Sequence, residues 1–196
     1  MSAALPGPDG RLRCPWALGS ETYLAYHDTE WGRPVHGENA LFERLCLEGF
    51  QAGLSWITIL RKREAFRRAF AGFDPQAVAR FGDAEVSALM DNPEIVRNEA
   101  KIRAVVTNAH ALLTLPEGET LSGLLEKHRP PVQPAPQETT DVPAETGESR
   151  SLSKELRRRG FRFVGPVTAY AMLQATGYAN DHLAACEFRG PSEPPS

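Results

Sequence analysis

The sequence predicts an all-α protein, and three observations carry that reading. Apolar residues recur at helical spacing from Asn39 to Leu125 and again from Ser151 to Gly177. Capping residues, prolines and glycines punctuate those stretches where helices start and stop. No run of alternating β-branched residues competes with them, and no internal repeat is present.

The elements follow in order. Residues 1–12, rich in Pro, Gly and Ala, read as a flexible arm, and the Pro/Ser tail 191–196 reads the same way. Asn39 can cap a helix that carries Leu41, Phe42, Leu45 and Cys46 on one face and ends near Gly49. A second helix spans about 55–70, with Trp56, Ile59, Leu60, Phe66 and Phe70 inward and Arg61, Lys62, Arg63, Arg67 and Arg68 on the opposite face. Asp74-Pro75 is an N-cap followed by proline at the first helical position. Gly82-Asp83 opens a short helix with Val86, Leu89 and Met90. Pro93 is expected to start a longer one with Ile95, Ile102, Val105, Val106, Ala109, Leu112 and Leu113. Residues from 129 to about 150 hold five prolines among Thr, Gln and Glu and read as a loop. Helical pattern resumes at Ser151 and stops at Gly160. Pro166 starts the last helix, which carries Val167, Tyr170, Met172 and Leu173 and ends at Gly177. Residues 13–190 are thus expected to form a single domain of two helical sub-lobes, one of them joining the N- and C-terminal segments.

Composition narrows the class. Hydrophobic residues make up 41% of the 196, enough to bury a core without disulfides. A net charge of −3 excludes a histone-like electrostatic binder of nucleic acid, though not a local basic patch. Three cysteines, Cys14, Cys46 and Cys186, suit a reducing compartment. With no signal-peptide pattern and no membrane-spanning stretch, a cytoplasmic location is expected.

Four groups of residues could carry chemistry. Cys14 and His27 near one end, with His182 and Cys186 near the other, supply two thiolates and two imidazoles. That is a donor set for a closed, structural tetrahedral zinc site. His182 and Cys186 are i and i+4, so a helix would put them on one face. The half-sites are far apart and lack zinc-finger spacing, so ordinary buried cysteines and histidines are the alternative. His36, His110 and His128 lack partners and read as surface or packing residues. Second, Gly160-Phe-Arg-Phe163-Val-Gly165 joins two helices. Its glycines would let backbone N–H groups approach a phosphate, or would merely stop two helices. Third, Trp16, Tyr23, Tyr26, Trp31 and Trp56 crowd the first third of the chain near Glu48. A carboxylate there either sits in an aromatic pocket or is a solvated helix-end glutamate. Fourth, Gly53-Leu54 forms a tight turn with an apolar tip, either a wedge for DNA or a turn folded into the core.

In combination these blocks resemble a known family. Arg13-Cys14-Pro15-Trp16, Tyr23 to Gly32, Leu47 to Trp56, Arg159 to Gly165, and Asn180-Asp181-His182 with Cys186 are similar to the signatures of the DNA-3-methyladenine glycosylase I family. The resemblance runs from about residue 13 to 186 and is weakest in the proline-rich loop. It implies a helix-hairpin-helix glycosylase fold and structural Zn2+ on Cys14, His27, His182 and Cys186. It implies a base pocket of Trp16, Tyr23, Tyr26 and Trp56 with Glu48 bonding the damaged base, and DNA contacts from Gly53, Leu54, Gly160, Phe163 and Gly165. The implied reaction is monofunctional hydrolysis of the N-glycosidic bond of 3-methyladenine in double-stranded alkylated DNA, by a monomer, releasing the free base. No lysine is placed as a Schiff-base nucleophile, so no strand cleavage is expected. Asp181 receives no catalytic role, because His182 beside it matches the metal set. Two rival classes are a zinc-stabilised DNA-binding module without activity and a metallohydrolase with an open metal position.

Overall fold

The structure is a computed structural model that describes residues 3–190. Its helices, in chain order, are α1 (Glu21–Thr29), α2 (Glu38–Gln51), α3 (Trp56–Ala69), α4 (Pro75–Val78), α5 (Asp83–Asp91), α6 (Glu99–Leu113), α7 (Leu121–Lys127), α8 (Gly147–Arg158) and α9 (Pro166–Ala175). A two-residue ladder, β1 (Leu5–Pro6) on β2 (Leu12–Arg13), is the only sheet among these residues. No helix among them is long and apolar enough to cross a membrane.

The architecture is organised around α2. Leu41, Phe42, Leu45, Leu47 and Phe50 are all buried, so this helix is covered on every side. It packs against α3, α6, α7 and α9. A chain of rings extends the core: Phe50 lies 4.6 Å from Phe66, and Phe70 lies 5.6 Å from Phe73. Since α2 is central, a polar side chain on the inner face of its C-terminal turns is drawn into the interior. Glu48 is such a residue.

Several boundaries differ from the sequence reading, each for a local reason. The helix expected to be capped by Asn39 begins at Glu38, and Gly37 precedes it with φ +89°. Glu38 instead caps α7, accepting the amides of Leu121 and Ser122 at 2.6 and 3.0 Å. The helix runs past Gly49 to Gln51. Pro93 does not open α6; Asn98 does, its side chain accepting the Lys101 amide at 3.1 Å. α8 starts four residues before Ser151, because Thr146 and Ser149 cap each other reciprocally.

The two segments expected to be loose behave differently. Over residues 5–13 the arm is a hairpin turned by Gly7-Pro8-Asp9-Gly10. Asp9 accepts the Arg11 amide and two guanidinium hydrogen bonds from buried Arg13. The proline-rich segment is pinned at Pro136, whose carbonyl accepts the Ala184 amide at 2.8 Å, and folds a short 3-10 turn at Thr139–Asp141. The tail 191–196 lies outside the described residues.

Candidate functional site

A cleft of about 460 Å3 opens between α1, the C-terminal end of α2 and the start of α3, with α9 as its far wall. Trp16, Tyr23, Tyr26, Glu48 and Trp56 all line it, so the five residues predicted for a pocket do meet. Each ring is set by local structure. Tyr23 and Tyr26 lie one turn apart on α1, which Ser20 caps by accepting the Tyr23 amide. The Tyr23 hydroxyl accepts the Ile57 amide at 2.9 Å and so fixes α1 against the first turn of α3, next to Trp56. Trp16 stands edge-on to Tyr23 at 5.7 Å, and Tyr26 is tilted to Trp56 at 5.6 Å. The Trp56 indole Nε1 is buried with no acceptor among the described residues.

Glu48 is 4% exposed, and none of the described residues donates a hydrogen bond to its carboxylate. Burial raises its pKa to about 7, against a partial pull downward from the Arg44 cation. Arg44 is held at 3.4 Å from both the Tyr26 hydroxyl and Glu30, whose carboxylate Arg63 also grips at 2.5 and 2.9 Å. A nearly buried acceptor among electron-rich rings suits a flat, cationic ligand that donates hydrogen bonds.

Cys14, His27, His182 and Cys186 form a buried cluster whose donor atoms all lie within 4.8 Å of one another. Cys186 Sγ is 3.5 Å from His27 Nε2 and 3.5 Å from His182 Nδ1, while Cys14 Sγ is 3.9 Å from His182 Nδ1. Donors about 2.0–2.3 Å from a tetrahedral centre stand at such separations. The outward ring nitrogens are also engaged: His27 Nδ1 with Asp28 at 2.8 Å, and His182 Nε2 with the Trp31 carbonyl at 3.1 Å. Buried Arg13 fixes Asp28 with a two-pronged guanidinium contact. His182 and Cys186 do not share a helix; residues 181–190 form turns, and the Cys186 amide bonds to the Leu183 carbonyl. A turn of the same span brings the two side chains together as a helix would.

The remaining predicted residues lie on two neighbouring tips. Gly53 (φ +80°) shapes the turn after α2, the Leu54 amide closes on the Gln51 carbonyl at 2.7 Å, and Leu54 is 38% exposed. Gly160 (φ +93°) ends α8 and Gly165 precedes Pro166 at the start of α9. Between them Phe163 adopts φ +54° and is 41% exposed. The amides of Phe163, Val164 and Gly165 donate to no acceptor among the described residues. Gly49 is the seat of this hairpin: a Cβ there would stand 3.3 Å from that of Phe163.

Sequence reasoning missed the far wall. Val167, Ala171 and Gln174 of α9 line the cleft, and their spacing, one residue per turn, was a readable stripe. Thr139 and Val142 close the cleft from the proline-rich segment; nothing in that segment's composition signals this. Asp181 also lines it, its Oδ2 accepting from the Tyr170 hydroxyl at 2.5 Å and Gln174 at 2.7 Å. The basic face of α3 is largely paired: Arg63 with Glu30, Arg67 with Glu43, Arg68 with Glu94. A larger cleft of about 910 Å3 runs under the proline-rich segment, but Glu48 and the pocket tyrosines do not reach it.

Comparison with known proteins agrees with this geometry. A family profile described as methyladenine glycosylase matches residues 16–190. The DNA-3-methyladenine glycosylase of Haemophilus influenzae is 44% identical over 178 residues, covering 89% of this chain and 96% of its own. A crystal structure of 3-methyladenine DNA glycosylase I superposes with a TM-score of 0.86 at 40% identity, covering 89% of this chain and 98% of that one. A second, of a tyrosine-to-phenylalanine variant in complex with 3-methyladenine, gives 0.86 at 34% identity over 91% of this chain and 97% of that one. With its cleft, its cysteine–histidine cluster and its hairpin all in this setting, the chain belongs to the methyladenine glycosylase family.

Proposed function

We propose that this protein excises 3-methyladenine from alkylated double-stranded DNA by hydrolysing its N-glycosidic bond, without cutting the strand. The single observation that carries the reading is the buried carboxylate of Glu48 inside an aromatic-walled cleft, in a chain of this family. The related glycosylase I seen in complex with 3-methyladenine supports the choice of base.

The chemistry asks for selection more than for acid catalysis. An N3-methylated adenine in DNA carries positive charge, so its glycosidic bond is already weak. The nucleotide has to leave the stack, at a cost of a few kcal/mol that a damaged pair reduces. The free amides of Phe163, Val164 and Gly165, with Pro166 opening α9 behind them, suit a backbone phosphate. Leu54, exposed at the tip of its turn, would fill the vacated space. In the cleft, Tyr26 and Trp56 would attract the cationic ring, by about 0.5–2 kcal/mol per contact. Glu48 would accept from the exocyclic amine, and Trp56 Nε1 is a donor with no acceptor among the described residues. Water then attacks the sugar carbon as the base departs.

The donor set of Cys14, His27, His182 and Cys186 fits Zn2+, two soft thiolates and two imidazoles with the outer nitrogens already satisfied. When bound, the ion would tie the two end segments together, and with four protein ligands it would offer no open position to a substrate. The recognition claim is tested by titrating the protein with free 3-methyladenine and following tryptophan fluorescence. All three tryptophans line the cleft, so binding should alter the signal. Unmethylated adenine should leave it nearly unchanged; equal responses to both bases would refute selective recognition.

A further inference from the structure

Two buried polar side chains outside the cleft make unusual contacts. Lys101 on α6 is 8% exposed and pairs with no carboxylate among the described residues; its Nζ donates to the Phe50 carbonyl at 2.7 Å and the Ala52 carbonyl at 2.5 Å. It thereby closes the end of α2 and grips the backbone that leads into Gly53-Leu54. Seven residues on, Asn108 is 3% exposed and makes two backbone-like hydrogen bonds to one residue of the hairpin. Its Oδ1 accepts the Arg162 amide at 2.7 Å and its Nδ2 donates to the Arg162 carbonyl at 3.2 Å. Seven residues are two helical turns, so Lys101 and Asn108 share one face of α6, about 10 Å apart along its axis.

We propose that α6 is a rigid spacer that sets the distance between the two tips offered to DNA, with Lys101 and Asn108 as its positioning residues. This rests on the reading of Leu54 as a wedge and of the Phe161–Gly165 hairpin as a phosphate grip. Burying a lysine and an asparagine costs free energy unless their hydrogen bonds are met. Here they are met by backbone at the C-terminal end of α2 and in the hairpin, which fixes the two connections and adds nothing to the apolar core. The hairpin is held a second time by Ser153, whose hydroxyl donates to the Val164 carbonyl at 2.7 Å, and it sits against Gly49 of α2. Leu54 and the hairpin therefore belong to one frame. Two contacts held at a fixed spacing bind a rigid duplex together; if either is loosened, the advantage of the pair is lost.

The test uses the full chain and the variants Lys101→Met, Asn108→Leu and their double. Amide hydrogen exchange without DNA reads the positioning directly. Lys101→Met should speed exchange at Leu54 about tenfold and leave the bonded amides of Phe161 and Arg162 unchanged, and Asn108→Leu should do the reverse. Uniform acceleration across the chain in both would mean a merely structural role and overturn the proposal. Lys101→Arg, which keeps a cationic donor, should restore most of the protection at Leu54; no rescue also counts against it. Binding to a duplex with one abasic site should weaken about tenfold in each single variant and no further in the double. Independent contacts would instead multiply to about a hundredfold and sink the spacer. Free 3-methyladenine affinity should stay within about twofold throughout. If the parent protein binds neither that base nor the duplex, the glycosylase reading fails, while the exchange pattern still decides the positioning.

Discussion

At the scale of one residue, Glu48 sets the stability cost of a buried carboxylate against its proposed role in recognising the base. Its carboxyl has a pKa near 7 in the folded chain, above the ordinary 4.5, because it is buried. The folded state therefore holds the proton more tightly than the unfolded one. The stability this gives is complete below pH 4.5 and is lost as pH rises through about 7, a loss of about 3 kcal/mol. Glu48→Gln removes that dependence. The variant is expected to unfold at higher denaturant than the parent at pH 8, with the advantage vanishing near pH 4.5; an unchanged difference across that range would show that Glu48 is not the group responsible. The same change should weaken binding of free 3-methyladenine at pH 8 by tenfold or more, since a hydrogen bond to a charged acceptor is worth about 1.5–3 kcal/mol. Calorimetric titration gives that ratio, and unchanged affinity would remove Glu48 from recognition. Glu48 and its four rings were legible in the sequence as a crowd of aromatics beside a helix-end carboxylate. Their burial was not, because it comes from the central position of α2, which only the packing of α3, α6, α7 and α9 around it decides.

At the scale of the element, turn chemistry explains what the sequence revealed and what it hid. Asp74-Pro75, Gly160, Pro166 and Gly177 punctuate the helices as read, each through a conformational preference of its own. Gly7-Pro8-Asp9-Gly10 is also a turn sequence, yet composition alone made it look like an arm. What orders it is Arg13, whose guanidinium reaches both Asp9 in the arm and Asp28 on α1. Similarly, α6 was read from Pro93 because apolar spacing continues through Ile95, whereas the Asn98 cap decides the start. Gly177 offers a sharp test of this level. It has φ +80°, and a Cβ there would lie 2.8 Å from the Arg33 carbonyl carbon and the Pro34 nitrogen, both backbone. Gly177→Ala should destabilise the protein by about 3 kcal/mol, combining left-handed strain with displacement of the 33–34 segment. Urea unfolding measures it; a loss under about 1 kcal/mol would mean that the segment yields freely.

The whole molecule is closed by its ends. Cys14 and His27 meet His182 and Cys186 across more than 150 residues of chain, and the Leu12 carbonyl accepts the Glu187 amide beside them. No local pattern in the sequence could pair those half-sites; donor chemistry left them as one of two readings, the family resemblance implied the set, and the fold brings the four residues together. With Zn2+ bound there, one equivalent per chain is expected by elemental analysis. Its removal by a strong chelator should lower Tm by several degrees, and Cys14→Ser should lose the ion with a similar drop. Full stability after complete chelation would exclude a structural metal. The aromatic cleft lies against this closed lobe, sharing Cys14, Trp31 and Leu183 with it, so the proposed base site would stand on the proposed metal tie. The most direct measurement is the release of free bases from methylated duplex DNA by the purified protein, resolved by chromatography. The account predicts release of 3-methyladenine, little 7-methylguanine and no strand breaks. A folded, metal-loaded protein that binds the duplex yet releases no 3-methyladenine would contradict it.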